Sequence, residues 1–347
     1  MSKPTISYAQ RYEDLHLLRC FGERASGFYI DIGAGHPVYD NVSFAFYLRG
    51  WSGITVEPNP WLAQLSAAVR PRDRRIQSLV GAAAGEATYY LVEDFHGLST
   101  TIASHAQAAQ DELGKAAQTM TVPVTTLRTM CEQHAPAAID FLKVDVEGAE
   151  PDVLAGGDWQ RFRPKVVVVE ALAPLTLAPS WQAWEPTLTS NGYRFAFFDT
   201  LNRYYVAQED DELHDELAAR LAAEPPSFDN VKKLSSFRPA LDDASHPDHH
   251  LATLLTGADM VRLPLLEAEA TMNLLTGGLQ AADLGKAATA TDITLAHERL
   301  FGGRPSDAWV AGLALSRDAT TRELYLRIIA SERFRAACGR ISASYAW

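Results

Sequence analysis

From residue 28 onward, short apolar runs alternate with stretches of helical period. Phe28–Ile32 is the first apolar run, and it flows into Gly33-Ala34-Gly35. A helical stretch over 43–49 comes next, then a second strand over 53–57, a helix over Pro60–Val69 and a third strand over 75–80. Two more strands are expected at 141–145 and 165–170. The four consecutive valines of the latter suit a parallel strand covered on both faces. Strands alternating with helices imply a doubly wound α/β sheet. Tyr193–Phe198 and 203–206, separated by Asp199-Thr200-Leu201-Asn202, read as an antiparallel hairpin closing one edge.

The texture changes after about residue 222. Glu224-Pro225-Pro226-Ser227 and the run from Asp242 to His250 are polar and proline-containing, as linkers are. Beyond them the chain is rich in Ala and Leu at helical spacing. The expected organisation is an α/β domain over 1–225, a linker over 226–249 and a small helical domain over 250–347.

Composition sharpens this picture. Of 347 residues, 47% are hydrophobic, enough for a sizeable core. No run reaches the roughly 18 apolar residues of a membrane-spanning helix, and the polar N-terminus has no apolar leader. A cytoplasmic chain with no membrane insertion is expected. The net charge of -12 argues against nucleic acid as a partner, and the basic stretch 70–75 reads as a solvated helix end. Cys20, Cys131 and Cys338 lie far apart and read as reduced thiols. His246, His249 and His250 sit in the charged linker and read as solvated loop.

Three segments carry candidate chemistry. Asp31-Ile32-Gly33-Ala34-Gly35 falls where a strand ends and a helix should begin, and its glycines let backbone approach a ligand closely. A dinucleotide fingerprint needs a third glycine, but that position is Val38. The Asp31 carboxylate suits a cationic ligand instead. Glu57, at the tip of the second strand and followed by Pro58, can accept hydrogen bonds from ribose hydroxyls. In Lys143-Val144-Asp145-Val146-Glu147 the charged residues have period-two spacing and share a face while the strand lasts. Ligands of parallel α/β sheets bind beyond the carboxyl ends of strands, where Asp145 and Glu147 fall. Glu150 and Asp152 flank a proline in a first helical turn and read as caps.

Together these motifs resemble the FkbM family of methyltransferases. The resemblance runs from Ser7-Tyr8-Ala9-Gln10 to about Tyr205 and is most specific at Asp145-Val146-Glu147-Gly148-Ala149-Glu150. Gly97-Leu98-Ser99-Thr100 and Leu201-Asn202-Arg203-Tyr204-Tyr205 belong to it as well. It implies a class I, Rossmann-like methyltransferase fold with an antiparallel edge hairpin. It also implies S-adenosylmethionine as cofactor, held by Asp31, Gly33, Ala34, Gly35, Glu57, Pro58 and Asp145. The opening Ser-Tyr-Ala-Gln resembles the branch found beside glycosyltransferases in polysaccharide synthesis. That implies a sugar or glycan hydroxyl as acceptor, and a glycosyltransferase or a second copy of the chain as partner. His36-Pro37 departs from the family's usual small and polar residues at the methionine end of the pocket.

Methylation of a hydroxyl oxygen calls for alignment and for a base or a metal ion. Asp145, Glu147, Asp199 and His36 are the catalytic candidates. Asp145, Glu147 and Glu170 could bind Mg²⁺ or Mn²⁺ through oxygen. The acceptor is expected to meet Tyr12, Ser99, Asn202 and Arg203, with Trp181 and Trp184 stacking on a sugar face. Two rival readings are a nicotinamide-dependent sugar oxidoreductase and a non-catalytic carbohydrate-binding module. The former lacks its third glycine and a Tyr-x-x-x-Lys pair.

Overall fold

The computed structural model describes residues 5–22, 24–38, 40–92, 99–114, 117–173, 176–219 and 231–233. In the C-terminal part it describes 243–245, 249, 285–301, 303–306, 319–331 and 334. His246, His250, Cys338 and the Gly97-Leu98 pair lie outside these residues.

The chain begins with β1 (Thr5–Ser7), α1 (Glu13–Phe21), β2 (Phe28–Ile32), α2 (Phe44–Leu48), β3 (Ser52–Val56) and α3 (Pro60–Val69). Then come β4 (Arg74–Ile76), β5 (Leu79–Val80), β6 (Gly85–Leu91), α4 (Ala103–Leu113), β7 (Gln118–Thr125) and α5 (Leu127–His134). The second half holds β8 (Phe141–Val144), α6 (Glu150–Ala155), β9 (Val166–Glu170) and α7 (Glu185–Ser190). The edge elements β10 (Tyr193–Phe198), β11 (Asn202–Ala207), α8 (Asp211–Ala218) and β12 (Val231–Lys233) follow.

Seven strands form one sheet in the order β10-β11-β9-β8-β2-β3-β4. Its five inner and far strands run parallel, while β11 lies antiparallel to both β9 and β10. This is the doubly wound sheet with a closing hairpin that the alternation implied. From β2 the strands are added outward on one side as β3 and β4 and on the other as β8 and β9, and ligands of such sheets bind at the switch point between β8 and β2.

The pleat divides the core in two. Ile30, Ile32, Leu142, Val144, Val167 and Val169 face one cluster; Tyr29, Phe141, Val166, Val168 and Tyr204 face the other. Since both faces are buried, β8 and β9 must be apolar throughout, which explains the valine run. The polar residues of the second face, Asp31, Lys143 and Glu170, come at or near strand ends.

The sequence pattern missed two features. The stretch 75–80 is two strands, β4 in the main sheet and β5 in a separate sheet of order β5-β7-β6. Strands β6 and β7 are largely exposed or half-buried, and Glu, Gln and four Thr interrupt their apolar residues, so no long apolar run announces them. Within the expected linker, Val231–Lys233 pairs in parallel with Thr5–Ser7. Three residues are too few for any periodicity to show.

Contacts divide the chain into two compact units, Met1–Ala67 with Pro71–Lys233, and Ala68–Arg70 with Leu234–Trp347. The second contains α9 (Ala290–Phe301) and α10 (Thr321–Ala330). Thr320 and Glu323 close a capping box at the start of α10. Ile293, Ala296, Leu324 and Ile328 are buried there. Among the described residues no helix is long and apolar enough to cross a membrane.

At the amino ends of the central strands, buried Asp140 accepts from the Phe28 amide at 2.9 Å and from Arg24 at 2.7 Å. Lys165 stands 3.9 Å away. Asp140→Ala should leave the Phe28 amide without its acceptor and destabilise the domain by about 1–3 kcal/mol. A denaturant melt with an unchanged midpoint would remove Asp140 from this role.

Candidate active site

The site is built outward from the end of β2. Gly33 has φ +71°, and its amide and that of Ala34 each donate to the Val56 carbonyl at 3.0 Å. A Cβ on Gly33 would stand 1.7 Å from the Asp145 carbonyl oxygen. Only glycine lets the chain turn against the end of β8. The Gly35 amide donates to Glu57 Oε2 and the Asn59 amide to Glu57 Oε1, both at 2.8 Å. Glu57 thus ties the glycine turn to the tip of β3. Burial pushes its carboxyl up to about 7, against the pull of those two amides and of Lys143. Ala34 and Pro58 are buried beside it. His36 is buried in the turn, its Nδ1 accepting from the Val38 amide at 3.2 Å.

Asp31 accepts a hydrogen bond from Ser43 through Oδ2 at 2.5 Å, while its buried Oδ1 has no hydrogen-bond partner. That oxygen lies 3.7 Å from Lys143 Nζ. The ammonium donates to the Gly33 carbonyl at 3.1 Å and meets Asp145 Oδ2 at 3.2 Å. One buried cation therefore joins the glycine turn to the end of β8.

Beyond Lys143 the carboxylates gather. Asp145, Glu147 and Glu170 each offer an oxygen within 4.8 Å of the others. Burial, then the charges of Asp145 and Glu147, hold the Glu170 carboxyl well above its ordinary range. Glu147 is raised by burial and by Asp145 and Glu150. Glu150 itself accepts from the Val146 and Gly148 amides at 3.1 Å, as a cap does.

A second group adjoins this one across β11. Asn202 is the register partner of Glu170. Its Nδ2 donates to Glu13 Oε1 at 2.9 Å and to Asp199 Oδ2 at 3.2 Å. The Tyr204 hydroxyl also donates to Asp199, at 2.8 Å. Burial and then the Asp199 charge push Glu13 up to about 8. Tyr12, half-buried with φ 64°, leads into Glu13.

Three expected acceptor residues are corrected by the structure. Trp184 is fully buried, edge-on to Tyr205, and cannot meet a sugar. Ser99 is buried and its Oγ accepts from the Val92 amide at 3.0 Å. Arg203 follows Asn202 on a strand and so takes the opposite face. There it bonds Glu185 and Tyr205 at 2.8 Å and packs 4.0 Å from the ring centres of Trp181 and Phe195. Trp181 is half-buried beneath that guanidinium.

Sequence reasoning did not assign Glu13, Lys143 or Tyr89 to the site. Glu13 precedes the first element that the pattern announces, and Lys143 lies inside a strand. Tyr89 sits on the second sheet, where burial and the nearby Glu57 charge raise its hydroxyl above its ordinary range.

Of the five non-glycine residues with positive φ among the described residues, four adjoin these groups: Tyr12, Asp40, Glu147 and Thr200. Such strain concentrates at functional sites. A family model for the FkbM methyltransferase domain matches residues 31–195, which span the glycine turn, Glu57 and the whole carboxylate cluster. Residues 31–195 belong to the FkbM methyltransferase family. The FkbM domain has the class I methyltransferase fold, and it transfers methyl groups from S-adenosylmethionine. Among solved structures, the chain is similar to a TehB-like SAM-dependent methyltransferase from Corynebacterium glutamicum. The two are 10% identical with a TM-score of 0.32, covering 56% of this chain and 87% of that one. No curated protein matches the chain.

The residues present fit that cofactor. The buried Oδ1 of Asp31, without a hydrogen-bond partner, can accept from a cationic group beside the glycine turn.

The raised carboxyls around the site also fix how the stability of the α/β domain depends on pH. Glu57 goes from 4.5 to about 7 and Glu13 from 4.5 to about 8. The folded state binds these protons more tightly than the unfolded chain. Their contribution is full below about 4.5 and is lost as pH rises through 7 to 8. Without ligand, the domain should melt at a lower temperature at pH 8 than at pH 5. In Glu57→Gln the free-energy drop over this window should shrink by on the order of 3 kcal/mol. Parallel wild-type and variant slopes would show that Glu57 titrates normally.

Proposed function

We propose that the FkbM domain methylates a hydroxyl oxygen of a sugar, on a glycan or glycan precursor, and that the Asp145–Glu147–Glu170 cluster activates that oxygen. The observation that carries this reading is the convergence of three carboxylates beside the glycine turn. The sugar itself rests on the likeness of the N-terminal segment to the branch found beside glycosyltransferases.

S-adenosylmethionine supplies an electrophilic methyl group. The chain must bring an acceptor oxygen into line with it and take the proton that the hydroxyl releases. Glu147 and Glu170 are held at raised pKa by burial and by one another's neighbours, which brings them nearer the working pH of a general base. Lys143 Nζ, 3.2 Å from Asp145 Oδ2, holds that side chain in place. Glu57 and the glycine turn orient the donor, and alignment alone lowers the barrier substantially.

A second reading is favoured by the close approach of the three oxygens. Asp145, Glu147 and Glu170 form a hard, all-oxygen donor set suited to Mg²⁺ or Mn²⁺. Such an ion would act as a Lewis acid on the acceptor oxygen.

Methyl transfer from radiolabelled S-adenosylmethionine to a panel of neutral methyl glycosides tests both. Asp145→Asn should lower turnover by about 100-fold or more while S-adenosylmethionine still binds. In the base reading a chelator changes nothing, and turnover rises with pH through the raised range of Glu147 and Glu170. In the cation reading a chelator abolishes turnover and Mn²⁺ restores it. Full activity in both Asp145→Asn and Glu147→Gln would sink the cluster's role altogether.

A further inference from the structure

Glu147 reaches the cluster from an unfavourable backbone. It has φ +55° and is followed by Gly148 at φ +105°. A side chain in the left-handed region persists only where its surroundings over-determine it. Glu150 holds the amides on either side, of Val146 and Gly148, while the Glu147 carbonyl itself is held by the segment that leads into α4. Thr100 Oγ1 donates to the Glu147 carbonyl at 3.1 Å, and His105 Nδ1 contacts the same oxygen at 3.3 Å. That contact makes Nδ1 the protonated nitrogen, since a carbonyl can only accept. Gly148 lets the segment come this near. A Cβ there would lie 2.7 Å from Ile102 Cδ1 and 2.9 Å from His105 Cε1. Thr100 Oγ1 also accepts from the Ile102 amide at 3.1 Å, which fixes the start of α4 over the turn.

We propose that Thr100 and His105 are positioning residues for methyl transfer. By gripping the Glu147 carbonyl they hold Glu147 in its left-handed conformation, and so keep its carboxylate beside Asp145 and Glu170. The proposal rests on the reading of that cluster as the acceptor-activating group. Without the grip, Glu147 relaxes toward negative φ and its side chain swings away, while the glycine turn and Glu57 stay as they are. Such a change lowers kcat and leaves donor binding alone.

Crystal structures and kinetics of Thr100→Val, His105→Ala and Thr100→Ser test this. Thr100→Val keeps the shape and loses the donor, His105→Ala leaves the α4 start intact, and Thr100→Ser restores the hydroxyl. In the first two, Glu147 should leave the left-handed region, and kcat on the best methyl glycoside should fall about tenfold or more. The Kd for S-adenosylmethionine and the glycoside KM should stay within about twofold. Thr100→Ser should match the wild type in both respects. In a Glu147→Gln background, already slowed, Thr100→Val should lower kcat no further. An unmoved Glu147, or an unchanged kcat in both Thr100→Val and His105→Ala, overturns the proposal. If Glu147→Gln itself retains full turnover, the cluster reading fails instead. If no glycoside is methylated, the sugar reading fails and the backbone at Glu147 alone decides the proposal.

Discussion

The ammonium of Lys143 is the interaction on which the rest of the site depends. It is buried, it bonds the Gly33 carbonyl, and it faces Asp145 at 3.2 Å and Asp31 at 3.7 Å. Burial works against its charge, but the two aspartates outweigh burial and keep it protonated. Without it, Asp31 and Asp145 would lose the cation they share at the ends of the neighbouring strands β2 and β8. Removing one partner of a buried pair costs about 3–5 kcal/mol, and here one cation serves two anions. The pairing also explains why the turn after β2 and the end of β8 touch closely enough to exclude a Cβ at Gly33.

Even with Lys143 in place, the carboxyl ends of the strands carry more acid than they neutralise. Glu13, Glu57, Glu147 and Glu170 all have raised carboxyls, with burial the leading cause at each. Four left-handed non-glycine residues lie in the same region. A core optimised only for stability would contain neither. The sheet below is apolar on both faces and tolerates this load, since its valine and isoleucine layers are fully buried. Stability generated in the sheet is thus spent at its rim, where a cationic donor can relieve part of the charge.

What the sequence made legible follows the strength of each physical signal. β2, β8 and β9 stood out because burial on both faces demands unbroken apolar runs, and the β10–β11 hairpin because its aromatics alternate. Asp145, Glu147 and Glu170 were readable as a set because all three fall at strand ends. The second sheet was not, since β6 and β7 expose one face and carry small polar residues. Glu13 is tied to the site by Asn202, a partner 189 positions away. Trp184 misled because proline-rich surroundings suggest a surface, whereas its ring fills the core against Tyr205.

β11 shows how finely the pleat apportions roles. Asn202 and Tyr204 face Glu13 and Asp199, while Arg203 and Tyr205 face Glu185 on the other side. Adjacent residues of one motif therefore serve different ends: one pair shapes the carboxylate rim, the other locks the hairpin to α7. A one-residue slip of β11 against β9 would exchange them, placing a guanidinium among the acids in place of an amide. Arg203, salt-bridged to Glu185 and held between Trp181 and Phe195, resists that slip. The scaffold contact on one face thereby fixes which residue the other face presents to the site.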